Sequence, residues 1–488
     1  MLFNSYEFIF LFFPLVLAGF FAIGRRHARA AAGFLGCASL FFYGWWSVEA
    51  LPLLIGSIAF NYTSGSWLLP EPGRNERARK YLLMVTLAAN LTLLAFFKYA
   101  DFFIDSLNHG LTASGITPLP LLHVVLPIGI SFYTFTQIAY VVDCWAGKVR
   151  ERRFVNYLLF VTYFPHLIAG PVLHHAQMMP QFADPATYRP QGERLARGLA
   201  IFVLGLAKKI LLADPLGQCA DLVFNAAGTG TVPSFASAWL GVLAYTLQIY
   251  FDFSGYSDMA IGLSLCLGVQ LPLNFDTPYR STSIIDFWRR WHITLSTFLR
   301  DYLYLPLGGN RRGEVRRYVN LMLTMLIGGL WHGAAWTFVL WGGLHGAYLA
   351  VNHLWRRWAG ESATFSAWVR ATTWLITFLC VTLAWVLFRA SSIEAAMTLY
   401  GSMFGAHGFS GAPLAEWKVP FQKADFYKTF AVAALLCAVP DSVVWARHVP
   451  GLASRRTVTV LSAAALLLLF AWCVSRFGRH SAFLYFQF

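Results

Sequence analysis

Apolar residues in this chain run unbroken for about the thickness of a bilayer, stop at a short basic loop, and begin again. A hydrocarbon core of about 30 Å takes roughly 20 apolar residues per helix. Runs of that kind recur from Phe8 to Val474, the early ones at about 7–23, 31–47, 51–69, 81–99 and 121–143. The pattern predicts an all-α, polytopic membrane protein with about 11–12 transmembrane helices plus re-entrant and interfacial helices. One integral-membrane domain is expected over 1–488: N-terminal helices at 7–143, a central core with the re-entrant elements at 154–352, and C-terminal helices at 367–488. The first run, Glu7 to Ile23, has no basic region before it and no small-residue cleavage site after it, so it is expected to be a retained helix.

Composition agrees: 57% of the 488 residues are hydrophobic, 17% aromatic and 12% charged, with a mean hydropathy of +0.55. Charge sharpens the picture. The basic residues cluster at Arg25, Arg26 and Arg29, Arg74 to Lys80, Lys148 to Arg153, Arg311 to Arg317, Arg356 and Arg357, and Arg447 to Arg456. Such clusters mark cytoplasmic loops, and the early helices alternate between them consistently. The net charge of +14 is then accounted for by topology and by anionic lipid headgroups. Nucleic acid is not an expected partner, because basic patches interleaved with aromatic residues on a soluble surface are missing. The seven cysteines form no close pair and signal neither a disulfide framework nor a zinc site; no metal is expected.

Three regions break the plain succession of spans, and irregular backbone at membrane depth survives only when buried in protein or lining a cavity. The first is Tyr163 to Val172, whose two prolines and glycine preclude one straight helix. It contains His166, which reads equally as an interfacial histidine. The second runs from Tyr250 through Asp252, Ser254, Gly255, Tyr256, Ser257 and Asp258 to the loop Asn274 to Arg280, and on to Ser296. There Trp288, Trp291, Leu295, Phe298 and Tyr302 recur at intervals of three and four, with Arg289, His292, Ser296 and Arg300 on another face. That spacing predicts one amphipathic helix at the cytoplasmic interface, ending at Pro306-Leu307-Gly308-Gly309. Arg289, Arg290 and Arg300 suit an interfacial anchor on lipid headgroups, and equally suit the phosphates of a donor such as coenzyme A.

The third region is the apolar stretch Tyr318 to Asn352, with His332 and His345 and the glycine pairs Gly328-Gly329 and Gly342-Gly343 as weak points. It is too long for one ordinary span. From Tyr318, His332 lies about 21 Å along a helix, beyond the bilayer midplane. An ionisable residue at that depth is a functional candidate. On a continuous helix His345 would be rotated by about 220° and displaced by about 20 Å from His332, so it reads as structural and unpaired with it. No phosphate-binding glycine loop, Gly-x-Ser-x-Gly elbow or His-Glu-x-x-His occurs. What remains is general-base catalysis, with His332 taking a proton from a hydroxyl that attacks an activated acyl carbon.

Several segments resemble the membrane-bound O-acyltransferase family, and within it the bacterial alginate O-acetylase branch. They are Phe164 to Pro171, Asp252 to Ala260, Phe287 to Ser296, Gly308 to Arg311, Gly329 to Ala334, and the terminal Phe483-Leu484-Tyr485-Phe486-Gln487-Phe488. The resemblance implies a multi-helix fold around a central funnel, with His332 as the catalytic residue and His292 as a second polar residue near the acyl tunnel. It implies a cytoplasmic donor, acetyl-CoA, with no bound cofactor, and export of the acetyl group across the bacterial inner membrane toward a polysaccharide. Partners implied are membrane lipid and periplasmic or membrane-anchored esterase-like proteins of the same gene cluster, one of which can be the direct acceptor. Alginate is the first expectation; cellulose, peptidoglycan and other exopolysaccharides are alternatives, and a more distant branch exports D-alanine onto teichoic acid. A competing class is a transporter or flippase in which His332, Asp252 and Asp258 relay protons or hold cargo, and a third is a scaffold of an export complex.

Overall fold

A computed structural model describes residues 1–168, 170–359, 366–409, 423–439, 442–443, 456–477 and 483–484. Helices account for its regular structure, with no β-strand among the described residues. The chain divides into two compact units, residues 1–202 with 259–272, and residues 203–258 with 273–488.

In the first unit, a π-helical stretch Glu7–Phe12 leads into α1 (Phe13–Gly24), followed by α2 (Ala28–Gly44) and α3 (Leu51–Leu68). α4 (Glu76–Leu94) continues through a π-helical turn at Ala95–Tyr99 into α5 (Ala100–Ala113). This single helix of 38 residues is about 57 Å long, well past a bilayer core. The helix expected at 121–143 starts only at Ile130, as α6 (Ile130–Trp145). Pro118, Pro120 and Pro127 keep the preceding segment extended, and α5 side chains clamp it: Leu119 N–H donates to Asn108 Oδ1 and Leu122 N–H to Asp101 Oδ1. α7 (Phe154–Thr162) stops before the proline-bearing Tyr163 to Val172 segment, and α8 (His175–Ala183) and α9 (Gly192–Ala207) follow it. The segment is irregular, as its prolines require; Ala169 within it lies outside the described residues.

Polar side chains join four helices of this unit. Asn61 on α3 and Asn90 on α4 exchange amide hydrogen bonds at 3.0 and 2.7 Å. Gln137 on α6 donates to Ser57 on α3, and Tyr157 on α7 donates to Gln137. In a lipid-facing bundle such bonds replace part of the hydrophobic drive that water would supply. Phe10, Leu15, Trp67 and Tyr81 meanwhile face outward, apolar and exposed.

The second unit begins with the end of α9 and a π-helical stretch Lys208–Ala213, then α10 (Asp214–Gly228). α11 (Phe235–Cys266) belongs to this unit as far as Asp258. Short helices α12 (Ile284–Arg290) and α13 (Ile293–Leu299) lead to α14 (Glu314–His332) and α15 (Trp336–Ala359). Beyond them are α16 (Ala367–Arg389), α17 (Ile393–Met403), α18 (Lys423–Leu436) and α19 (Arg456–Val474). Residues 447–455 of the last basic cluster and the terminal Tyr485 to Phe488 lie outside the described residues.

Two local expectations change here. The stretch Tyr318 to Asn352 breaks not at its glycine pairs but at Gly333, and folds into an antiparallel hairpin of α14 and α15. The glycines are where the two backbones touch: a Cβ on Gly342 would lie 2.2 Å from the Met325 carbonyl oxygen, and one on Gly329 2.3 Å from that of Phe338. At the open end Arg317 Nη2 lies 2.7 Å from His353 Nδ1, and Arg357 pairs with Glu314. The amphipathic helix expected through Trp288 and Tyr302 is likewise not continuous. It stops at Arg290, His292 takes a left-handed conformation with φ +43°, and α13 starts after it.

Three helical stretches among the described residues are long and apolar enough to cross a membrane by length and composition: Glu7–Gly24, Glu76–Ala113 and Ala367–Arg389.

Candidate active site

The break at His292 is held by the preceding loop. Asp276 N–H donates to the Arg290 carbonyl, and Ile293 N–H donates to the Asn274 carbonyl, both at 3.0 Å. A left-handed backbone is uncommon for a residue with a side chain and costs on the order of 1–3 kcal/mol, so it persists only where its surroundings over-determine it. The result turns the imidazole of His292 inward, fully buried. Its Nδ1 lies 3.1 Å from Asn274 Oδ1, which also accepts from the Thr294 hydroxyl at 2.8 Å. Asn274 Nδ2 in turn donates to Ser257 Oγ on α11 at 3.2 Å, and the Thr294 N–H, which can only donate, reaches Oδ1 at 3.4 Å and orients the amide. Nδ1 of His292 therefore carries the ring proton, and Nε2 is the lone-pair nitrogen.

His332 is the last residue of α14 and sits at the closed end of the hairpin, 5% exposed. Its ring centre is 6.4 Å from that of His292. Trp341 of α15 and Phe388 of α16 each stand edge-on to it at 5.2 Å. Trp385 stacks against Trp341 at 5.9 Å and meets Trp291 at 5.0 Å. The two histidines thus share an aromatic, water-poor enclosure. In such surroundings charge developing on a reacting group is felt strongly by nearby dipoles.

His345 belongs to the same enclosure, which corrects the expectation of a remote residue. The chain reverses after His332, so α15 runs back along α14 and sets His345 against Trp288 of α12 at 5.1 Å, ring centre to ring centre, beside its own helical neighbour Trp341. The calculation for a continuous helix fails because the helix is not continuous.

The three arginines have unequal freedom. Arg290 is bound to Asp286 through Nε at 3.0 and 3.1 Å, and Arg300 to its neighbour Asp301 at 2.7 and 3.2 Å. Arg289 is exposed. His166, in the first unit, is buried and bonds through Nε2 to the Phe160 carbonyl at 3.0 Å, a closure of the turn after α7.

Asp252 and Asp258 are also committed. Lys209 Nζ lies buried between Asp252 at 2.6 Å and Asp214 at 2.8 Å. The other oxygen of Asp252 accepts the Leu484 N–H at 3.0 Å, and Phe483 packs on Tyr256 and on the Lys209 ammonium. Lys208 pairs with Asp258 at 2.8 Å, and Ser442 donates to the same carboxylate. Both acids bind residues of the distant C-terminal part of the chain.

Asn274 and Trp341 had no distinct signal in the sequence. Asn274 lay in a loop already marked as irregular, and Trp341 was one tryptophan among 18.

Comparison with known proteins gives this enclosure a context. The model for "MBOAT, membrane-bound O-acyltransferase family" matches residues 80–396. A "Probable alginate O-acetylase" of Pseudomonas putida is 40% identical over the full length of both chains, 100% of each. A "Peptidoglycan O-acetyltransferase" of Helicobacter pylori is 43% identical over 84% of this chain and 81% of its own. A "Teichoic acid D-alanyltransferase" of Streptococcus thermophilus is 27% identical over 54% of this chain and 68% of its own. A family match over most of the chain and relatives similar from end to end agree with the buried histidine pair on one conclusion: the chain belongs to the membrane-bound O-acyltransferase family and is an acyltransferase.

Proposed function

We propose that this protein moves acetyl groups from cytoplasmic acetyl-CoA across the bacterial inner membrane, as a multi-pass enzyme, for O-acetylation of an exported polysaccharide. His332 is the general base. It takes the proton of the acceptor hydroxyl as the hydroxyl oxygen bonds to the thioester carbon. His292, its proton fixed on Nδ1 by Asn274, presents Nε2 as a second polar atom of the site. Arg289 is the arginine of the three best able to meet donor phosphates, since the other two are tied to carboxylates. The single observation that carries the reading is the approach of His332, at the end of α14, and His292, in the break between α12 and α13, to 6.4 Å inside an aromatic enclosure.

Alginate is the first choice of acceptor because relatives of that name match at 40% identity over the whole chain. Peptidoglycan is the second, on the strength of the relative at 43%. The acetyl group passes on through esterase-like partners on the far side of the membrane. Protein in proteoliposomes with acetyl-labelled acetyl-CoA tests the reaction. Label should leave the donor with wild-type protein and not with His332→Ala; equal turnover in the variant refutes the base. Loss of acetyl esters from either exopolysaccharide or muropeptides in a deletion strain decides the acceptor.

A further inference from the structure

α15 carries two hydrogen-bond donors that the fold itself does not use. Trp341 and His345 stand four residues apart on one face of the helix, buried at 1% and 0% exposure. Neither the indole Nε1 of Trp341 nor the Nε2 of His345 meets a hydrogen-bond partner among the described residues. The tautomer of His345 follows from its other nitrogen. Nδ1 accepts from Trp288 Nε1 at 3.3 Å, so a neutral ring carries its proton on Nε2, and that nitrogen is a donor. The two rings are 4.9 Å apart, and Trp341 is edge-on to His332 at 5.2 Å. Buried donors are almost always paired. Two left over side by side, one of them packed on the proposed base, suit an acceptor that arrives with the substrate.

We propose that the N–H groups of Trp341 and His345 form the oxyanion hole of the acyl transfer, an inference that rests on the acetyl-transfer reading above. As a lone pair of the acceptor hydroxyl forms the new C–O bond, the carbonyl π pair moves onto the thioester oxygen and the hydroxyl proton goes to His332. The two donors take up the charge on that oxygen. Collapse restores the carbonyl and breaks the C–S bond, and the departing thiolate takes the proton from His332. Donors already in place and shielded from water need no reorganisation as the charge appears, which is where their effect on rate comes from.

The test is steady-state transfer from labelled acetyl-CoA in proteoliposomes by Trp341→Phe, His345→Phe and His345→Gln, and by protein carrying benzothienylalanine at position 341, an isostere with sulfur in place of N–H. The donor-less forms should lose about 10²–10³-fold in kcat, the usual effect of one oxyanion donor, with KM for acetyl-CoA within about twofold. His345→Gln, which keeps a donor, should recover much of the loss. Unchanged kcat in Trp341→Phe, His345→Phe and the isostere overturns this inference alone. Absence of transfer by the wild-type protein overturns the acetyl-transfer reading, and this inference with it.

Discussion

Asn274 ties together the loop around His292 through one side-chain oxygen. It accepts from His292 Nδ1 and from the Thr294 hydroxyl, while its backbone carbonyl receives Ile293 N–H. Asn274→Leu should leave His292 folded in place but free to change tautomer. Losing a buried partner costs about 1–3 kcal/mol of stability; an interaction of that size lost from the transition state lowers the rate by about 5- to 150-fold. Single-turnover acetyl transfer measures it, and a variant as fast as wild type removes Asn274 from a positioning role. The sequence pointed to His332 because an imidazole is conspicuous in apolar surroundings, and to His292 through the family resemblance of Phe287 to Ser296. It was silent on Asn274, since what makes that residue matter is a hydrogen bond across 18 positions of chain.

The α14–α15 hairpin places His332 at its closed end and depends on glycine where the helices touch. Gly342 has no room for a Cβ, because the obstacle is the Met325 carbonyl, which cannot step aside. Gly342→Ala should cost about 1–3 kcal/mol, the usual effect of overpacking. Gly343→Ala should cost less, since its nearest neighbour, the Leu326 Cδ2 at 3.3 Å, is the end of a flexible side chain. Thermal unfolding of the two variants in detergent makes the comparison; equal losses would contradict the close contact. Here periodicity misled. Apolar residues continue through Gly333 without interruption, so nothing in the hydrophobic pattern marks a reversal, and the glycine pairs looked like weak points although they are points of contact. The broken helix at His292 was hidden for the same reason: the three- and four-residue spacing carries on through a backbone that does not.

At the scale of the whole molecule, the membrane class, the all-helical architecture and the first four apolar runs were legible, because they follow from run length and charge alone. The ion network around Lys209 was not, since it joins residues as far apart as Asp214 and Leu484. Lys209→Met should destabilise the second unit by about 3–5 kcal/mol, because it leaves the buried Asp252 and the partly buried Asp214 without their cation. Lys209→Met with Asp252→Asn should recover part of that loss. Melting temperatures of the single and double variants provide the check, and a single variant as stable as wild type would show the network to be dispensable. The hairpin, finally, has a bearing on how the chain is counted across the bilayer. Arg317 and His353 are bonded to each other, so whichever side of the membrane holds one holds the other. The segment between Glu314 and Arg357, which pair across the open end, contributes an even number of crossings. Everything that follows keeps the sidedness it would have had if this segment, with His332 in it, were cut out.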